Sequence, residues 1–145
     1  MNGRRLVGLA LALASGLAVL LLWPKEKLSP EDEIRQLVAR AVQAAEKRQP
    51  SGVIEVLDER FRGPGGAGRE DVRQLLVGQF FRAQQVVVMN PLLEVSVRSP
   101  TEGHFKGTFV FARDGAALDA SRYEIEADLV RAEDGWRVVS ASWSR

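Results

Sequence analysis

The chain has 145 residues, 46% hydrophobic and 27% charged, with a formal net charge of +1, a single histidine and no cysteine. That length holds one membrane segment plus one domain of roughly 115 to 120 residues, and the composition excludes wholesale disorder. The missing cysteine excludes disulfides, thiolate catalysis, cysteine metal sites and an acylated cysteine, and one histidine excludes a multi-histidine zinc site, so neither metal nor cofactor is expected.

The charge is unevenly placed. Arg4 and Arg5 precede an apolar run and all 19 acidic residues follow it, which leaves the remainder with 18 basic against 19 acidic side chains. A near-neutral domain lacks the electrostatic footprint of a phosphate-backbone binder, so nucleic acid is not an expected partner.

Leu6 to Trp23 is uncharged and holds eight Leu, two Val and four Ala among 18 residues. As a helix it would span about 27 Å, close to the ~30 Å hydrocarbon core. Its Leu and Val side chains contribute on the order of −3 to −6 kcal/mol to insertion. Trp23 falls where an interfacial aromatic belongs, and Pro24 ends the helix. The competing reading is a cleaved signal peptide with Ala12-Leu13-Ala14 as the site. Cleavage there would leave too short an apolar region before it and expose Gly16 to Leu22 after it. Residues 1–24 are therefore read as a transmembrane anchor, residues 25–30 as a linker and residues 31–145 as the domain. The Arg pair holds the N-terminus in the cytoplasm, which puts the domain of this single-pass protein on the outer, periplasmic or extracellular, side.

Ser29-Pro30-Glu31-Asp32 reads as a helix start, with Ser at the N-cap, Pro at the first helical position and acids in the first turn. Ile34, Leu37, Val38, Ala41, Val42 and Ala45 follow at helical spacing, and the helix should end near Gln49-Pro50. Ser51 can cap a shorter second helix carrying Val53, Ile54, Val56 and Leu57. The stretch Gly63 to Gly68 must be a loop, and without a Gly-Lys-Ser/Thr ending or a leading strand it is no phosphate-binding loop. A third helix is expected from Arg69 to Gln84, with Val72, Leu75, Leu76, Gln79 and Phe80 on one face.

From Val86 the period changes to two. Val86 to Met89 and Leu93 to Val97 make a strand broken at Asn90-Pro91. Phe105, Gly107, Phe109 and Phe111 alternate with His104, Lys106, Thr108 and Val110 in the next strand, and Tyr123, Ile125, Ala127 and Leu129 alternate with charged residues in the third. In the last, Trp136, Val138, Ser140 and Ser142 share one parity. Turn signals fall at Pro100 to Gly103, Asp114-Gly115 and Glu133 to Gly135. Three N-terminal helices followed by consecutive strands predict an α+β fold, with the helices packed on a curved, mainly antiparallel sheet.

This layout resembles the nuclear transport factor 2-like superfamily, which includes steroid delta-isomerases and polyketide cyclases. The resemblance rests on the first amphipathic helix followed by a short second one, on Gly68-Arg69-Glu70-Asp71-Val72-Arg73, and on Asp134-Gly135-Trp136-Arg137-Val138-Val139 running to Trp143. It covers about residues 31 to 145 and implies a cone of sheet wrapped around helices, with an apolar pocket at the open end. The isomerases pair an acidic base with a Tyr and a protonated Asp in that pocket, and no such trio aligns here. The fold alone implies no activity.

Inward parity makes Phe109, Tyr123, Ser140 and Ser142 the candidate ligand-binding residues, against the plainer reading of core aromatics and small space-fillers. Asp58 and Glu59, at the end of the second helix, could serve with Tyr123 as catalytic groups, against the plainer reading of a solvated helix end. His104 shares the parity of Lys106 and is expected on the solvent face. The expected function is non-enzymatic binding of an apolar small molecule, or of another envelope protein, by a membrane-anchored domain. The alternative is an isomerase- or cyclase-like enzyme acting on an apolar substrate. The membrane is the expected partner of Leu6 to Trp23, and a homodimer is compatible with the sequence.

Overall fold

The computed structural model describes residues 27–83, 85–113 and 120–145. Helix α1, Pro30–Glu46, starts as the sequence predicts: Ser29 Oγ accepts a hydrogen bond from Asp32 N at 3.2 Å, and Glu31, Asp32 and Glu33 face the positive end of the helix. It buries Ile34, Leu37, Val38, Ala44 and Ala45. After it, Arg48 turns the chain with a φ of 54° and donates from its guanidinium to Ala83 O at 2.7 Å. Helix α2, Pro50–Ile54, is shorter than its apolar run suggested and starts at Pro50, so Ser51 is not its cap. Gly52 lets it abut α1, since a Cβ there would stand 2.6 Å from Ala44 Cβ.

The sequence reading carried the second helix through Val56 and Leu57. The chain instead becomes strand β1, Leu57–Arg62, parallel to the last strand, and Val138 N donates to Val56 O at 2.9 Å. Asp58 and Glu59 therefore lie on an edge strand and not at a helix end. The glycine-rich loop holds a short 3₁₀ turn at Pro64–Gly66, with Gly65 and Gly66 at φ of 69° and 82°, a region that favours glycine.

Helix α3, Arg69–Arg82, starts with Asp71 Oδ2 accepting from Gly68 N at 2.8 Å. None of its residues is buried. Of the expected inward face, Val72 and Phe80 pack on the core, whereas Leu75 is 53% exposed. Phe81, on the same helix, is 91% exposed.

Strands β2 (Val86–Ser99), β3 (Glu102–Arg113), β4 (Ser121–Ala132) and β5 (Gly135–Ser144) complete a sheet of order β1-β5-β4-β3-β2, antiparallel except for the β1–β5 pair. The break expected at Asn90-Pro91 is a register shift inside one continuous strand. With its amide oriented to satisfy both acceptors, Asn90 Nδ2 donates to Thr108 O and Leu92 O at 3.0 and 2.9 Å. Those bonds bridge the place where Pro91 has no N–H to give.

The core lies between α1 and the inner sheet face, where Phe105, Phe109, Ala127, Leu129, Trp136 and Val138 meet Ile34, Leu37 and Val38. Gly103 allows close approach, because a Cβ there would stand 2.7 Å from Ile34 Cδ1. Glu33 closes this end of the core: it accepts from Trp136 Nε1 at 3.0 Å and pairs with Arg131 at 3.1 Å. Among the described residues no helix is long and apolar enough to cross a membrane. The expected anchor, Leu6 to Trp23, and the turn expected at Asp114-Gly115 lie outside the described residues.

Candidate ligand site at the mouth of the cone

The inner sheet face changes character along β3 and β4. Near α1 it is closed by Phe105, Leu129 and Trp136, each under a tenth exposed. Farther along, pairs run Gly107 to Ile125 and Phe109 to Tyr123, then Phe111 to Ser121. Phe111 and Tyr123 are only half-buried, and that end is the mouth.

Three aromatic rings build its wall. Phe109 and Phe111 lie 6.5 Å apart in a stacked arrangement, and Phe111 meets Tyr123 edge-on at 5.7 Å. These spacings fall within the range favoured by the ring quadrupoles. Phe109 is 5% exposed and its ring lies over Gly107, where a Cβ would stand 2.9 Å from Phe109 Cε2. It forms the floor of the mouth, and Phe111 and Tyr123 form the open part.

Two of the expected inward residues are elsewhere. Register along β4 and β5 pairs Leu129 with Val138 and then Asp128 with Ser140, so one extra residue, Val139, is accommodated as a bulge. The bulge reverses parity. Ala141 and Trp143 take the inward positions opposite Ala127 and Ile125, and Ser140 and Ser142 turn to the outer face. Ser140 Oγ donates to Asp128 Oδ2 at 3.3 Å, and Ser142 lines an outer groove of about 200 Å³ with Lys106, Glu124 and Glu126.

Arg145 is the residue the sequence reading missed. The final pair of the β4–β5 ladder is Glu124 with Ser144, so Arg145 follows on the side of Trp143, beside Tyr123. Its Nε donates to the Tyr123 hydroxyl at 3.2 Å and its guanidinium carbon stands 5.6 Å from the Tyr123 ring centroid. Continuing the inward parity two residues beyond Trp143 would have found it, but only after counting the bulge.

The acids expected to work with Tyr123 lie on edge strand β1, which β5 separates from β4. Asp58 Oδ1 accepts from both Arg60 N and Arg60 Nε, at 2.8 and 2.9 Å. The Arg60 guanidinium, then its backbone N–H, hold the Asp58 carboxyl below the usual range, which makes it a weak base. Glu59 is exposed.

The outer face carries the polar network. His104 Nδ1 lies 2.9 Å from Asp128 Oδ1, and its Nε2 lies 3.0 Å from Glu126 Oε1. Hydrogen bonding from His104, then from Ser140, lowers the Asp128 pKa against the opposing effect of burial. Thr108, buried at 5% exposure, donates to both oxygens of Glu124, and this contact is the main cause of the lowered Glu124 pKa. Ser140 reaches Asp128 and not the imidazole, and both ring nitrogens face carboxylates. The cluster therefore lacks the nucleophile-to-base order of a catalytic triad. Among the described residues no acid or histidine cluster could hold a metal. A second groove, of about 340 Å³, lies between α1 and edge strand β2, with Val38, Val42, Val88 and Leu93 among its lining and Arg35 and Glu46 also on its wall.

No protein-family model and no curated protein matches the sequence. Solved structures do. A nuclear transport factor 2-like protein of unknown function from Pseudomonas putida KT2440 superposes with a TM-score of 0.68 at 18% identity, over 79% of this chain and 84% of that one. A domain of unknown function with a cystatin-like fold from Nostoc punctiforme gives 0.68 at 13%, over 83% and 79% of the two chains. An uncharacterized protein with a cystatin-like fold from Caulobacter vibrioides gives 0.64 at 15%, over 78% and 87%. At such identities the likeness is one of architecture. The chain carries the nuclear transport factor 2-like fold, an α+β cone of three helices on a five-stranded mixed sheet.

Proposed function

We propose that this is a non-enzymatic binding domain, held at the outer face of a membrane by Leu6 to Trp23, that takes an apolar small molecule at the mouth of its cone. The observation that carries the reading is the half-open aromatic wall of Phe111 and Tyr123 above a closed floor, with every carboxylate of β2 to β5 on the opposite sheet face. An apolar wall with a phenol and, among the described residues of β2 to β5, no acid can bind an apolar body, but those strands offer it no carboxylate to remove a proton. The enzyme reading would need Asp58 or Glu59 at the mouth. Asp58 is tied to Arg60 on the edge strand, and Glu59 is exposed on that same strand, which is not a neighbour of β4.

Contact with another envelope protein is favoured by a separate observation. Leu75, Val77 and Phe81 of α3 and Met89 and Leu92 of β2 are all more than half exposed.

The test is titration of the full chain in lipid nanodiscs with 2-naphthamide, with empty nanodiscs subtracted. Saturable binding that Phe111→Ala weakens, with the fold retained, is the expected result. Absence of saturable binding, or binding that Phe111→Ala leaves unchanged, overturns the small-molecule reading. Extraction at high salt tests the tether: the protein should stay with the membrane, because its anchor is apolar. Release would overturn that part.

A further inference from the structure

We infer that the molecule taken at the mouth is an apolar acid in its anionic form, oriented by Arg145 and Tyr123. The inference rests on the mouth being a ligand site and goes on to name the chemical class of the ligand.

Arg145 and Tyr123 carry donor hydrogens for which no protein acceptor is seen among the described residues. Arg145 Nε is spent on the Tyr123 hydroxyl oxygen at 3.2 Å, which leaves the terminal guanidinium nitrogens. Among the described residues Arg145 enters no ion pair, in contrast to Arg60, Arg122, Arg131 and Arg137, each of which holds a carboxylate. The Tyr123 hydroxyl accepts from Arg145, so its own hydrogen is free to point onward. Accepting a charge-assisted bond also polarises the hydroxyl into a better donor. Both groups therefore offer hydrogens; the guanidinium has no lone pair to offer, and the phenol oxygen already accepts from Arg145.

Among the described side chains of the inner sheet face, this end keeps one sign of charge. Register places Phe109, Phe111 and Arg113 on the inner face of β3, and places Glu94, Glu102, Glu124, Glu126 and Asp128 on the outer face of their strands. Among the described residues the inner face at this end thus presents aromatic rings and two guanidinium groups, and no side-chain carboxylate. A neutral apolar ligand would leave the Arg145 and Tyr123 hydrogens facing apolar surface, which is unfavourable. A cationic ligand would meet like charge. A carboxylate accepts from a guanidinium and a phenol together, and its apolar body can lie on Phe111.

Paired titrations test this in the full chain in nanodiscs, with 2-naphthoate and its uncharged isostere 2-naphthamide. Naphthoate should bind roughly tenfold more tightly or better, the size expected for hydrogen bonds to a charged group. Arg145→Gln should abolish the preference, read as the ratio of naphthoate to naphthamide affinity within each variant, and Tyr123→Phe should reduce that ratio several-fold. Circular dichroism checks that each variant is folded, and both substitutions are conservative at half-buried or exposed positions. Equal affinity for the two probes overturns the inference and leaves the mouth as a neutral apolar site. A preference that survives Arg145→Gln overturns it by placing the anion elsewhere. Binding of neither probe overturns both the inference and the small-molecule reading on which it rests.

Discussion

Phe109 distinguishes a filled cone from an open one. The side chain is 5% exposed, stacks on Phe111 at 6.5 Å and lies against Gly107 closely enough that a Cβ there would stand 2.9 Å away. A ring so enclosed is structural, and Phe109→Ala should cost about 3 to 5 kcal/mol through lost burial and the residual cavity. That is a large part of the roughly 5 to 15 kcal/mol that stabilises a domain of this kind. With a urea m-value of about 2 kcal/mol/M, the unfolding midpoint should fall by about 1.5 to 2.5 M. Trp136, 2% exposed on the inner face of β5, supplies the fluorescence signal. Phe109→Leu, which keeps most of the volume, should cost less than half as much. A loss below about 1 kcal/mol for Phe109→Ala, together with weakened probe binding, would refute the reasoning and make Phe109 part of an open pocket.

Glu33→Ala should cost about 1 to 3 kcal/mol, because it strands the buried Trp136 N–H as well as Arg131, and Glu33→Gln should recover much of that by keeping an acceptor; equal losses for the two in chemical denaturation would mean that the contact does not matter. The acid limb of stability should depend on Asp128, whose folded-state carboxyl is held below its ordinary value of 3.8. Its contribution is complete above about that pH and is lost as pH falls through the lower folded value, so Asp128→Asn should flatten the limb below about pH 4 in a stability-versus-pH series. A chain beginning at Leu28 should fold as a soluble cooperative unit, because the Ser29 cap and the whole described core follow it; an unfolded circular dichroism spectrum would contradict this.

Much of the fold was legible because local and tertiary signals agree. Ser29, Pro30 and three acids specify the start of α1 by capping chemistry that needs no distant partner. The period-two runs of β3 and β4 predict their inner faces, and the register then sets Phe109 opposite Tyr123. Strand β1 was hidden for a tertiary reason. Its sequence, Leu-Asp-Glu-Arg-Phe-Arg, follows a helix-like apolar run and has one fully buried side chain, Phe61. It is a strand because β5 offers an edge, as the bond from Val138 N to Val56 O shows. Helix α3 misled in the opposite direction: its apolar residues go round the helix, so several periodic faces could be drawn and only Val72 and Phe80 reach the core.

The site was harder to read than the fold because parity along a strand has no error tolerance. A single extra residue moves every later side chain to the other face. Nothing in Trp136-Arg137-Val138-Val139-Ser140 marks Val139 as the extra one, since both valines suit a strand and the alternation is satisfied either way until Ala141. The shift is matched by a tertiary contact: Trp143 lies against Gly63, where a Cβ would stand 3.2 Å from its Cη2, and this contact is made with Ser140 and Ser142 facing outward. The same shift moves Arg145 from the solvent face to the side of Tyr123. One bulge therefore removes two hydroxyls from the inner face and adds a guanidinium, changing the mouth from a neutral polar rim into a cationic one. Deleting Val139 should restore the uncorrected parity beyond it, turning Trp143 to the outer face and withdrawing Arg145. A deletion variant that folds and keeps any preference for 2-naphthoate would show that the bulge does not set the charge of the mouth.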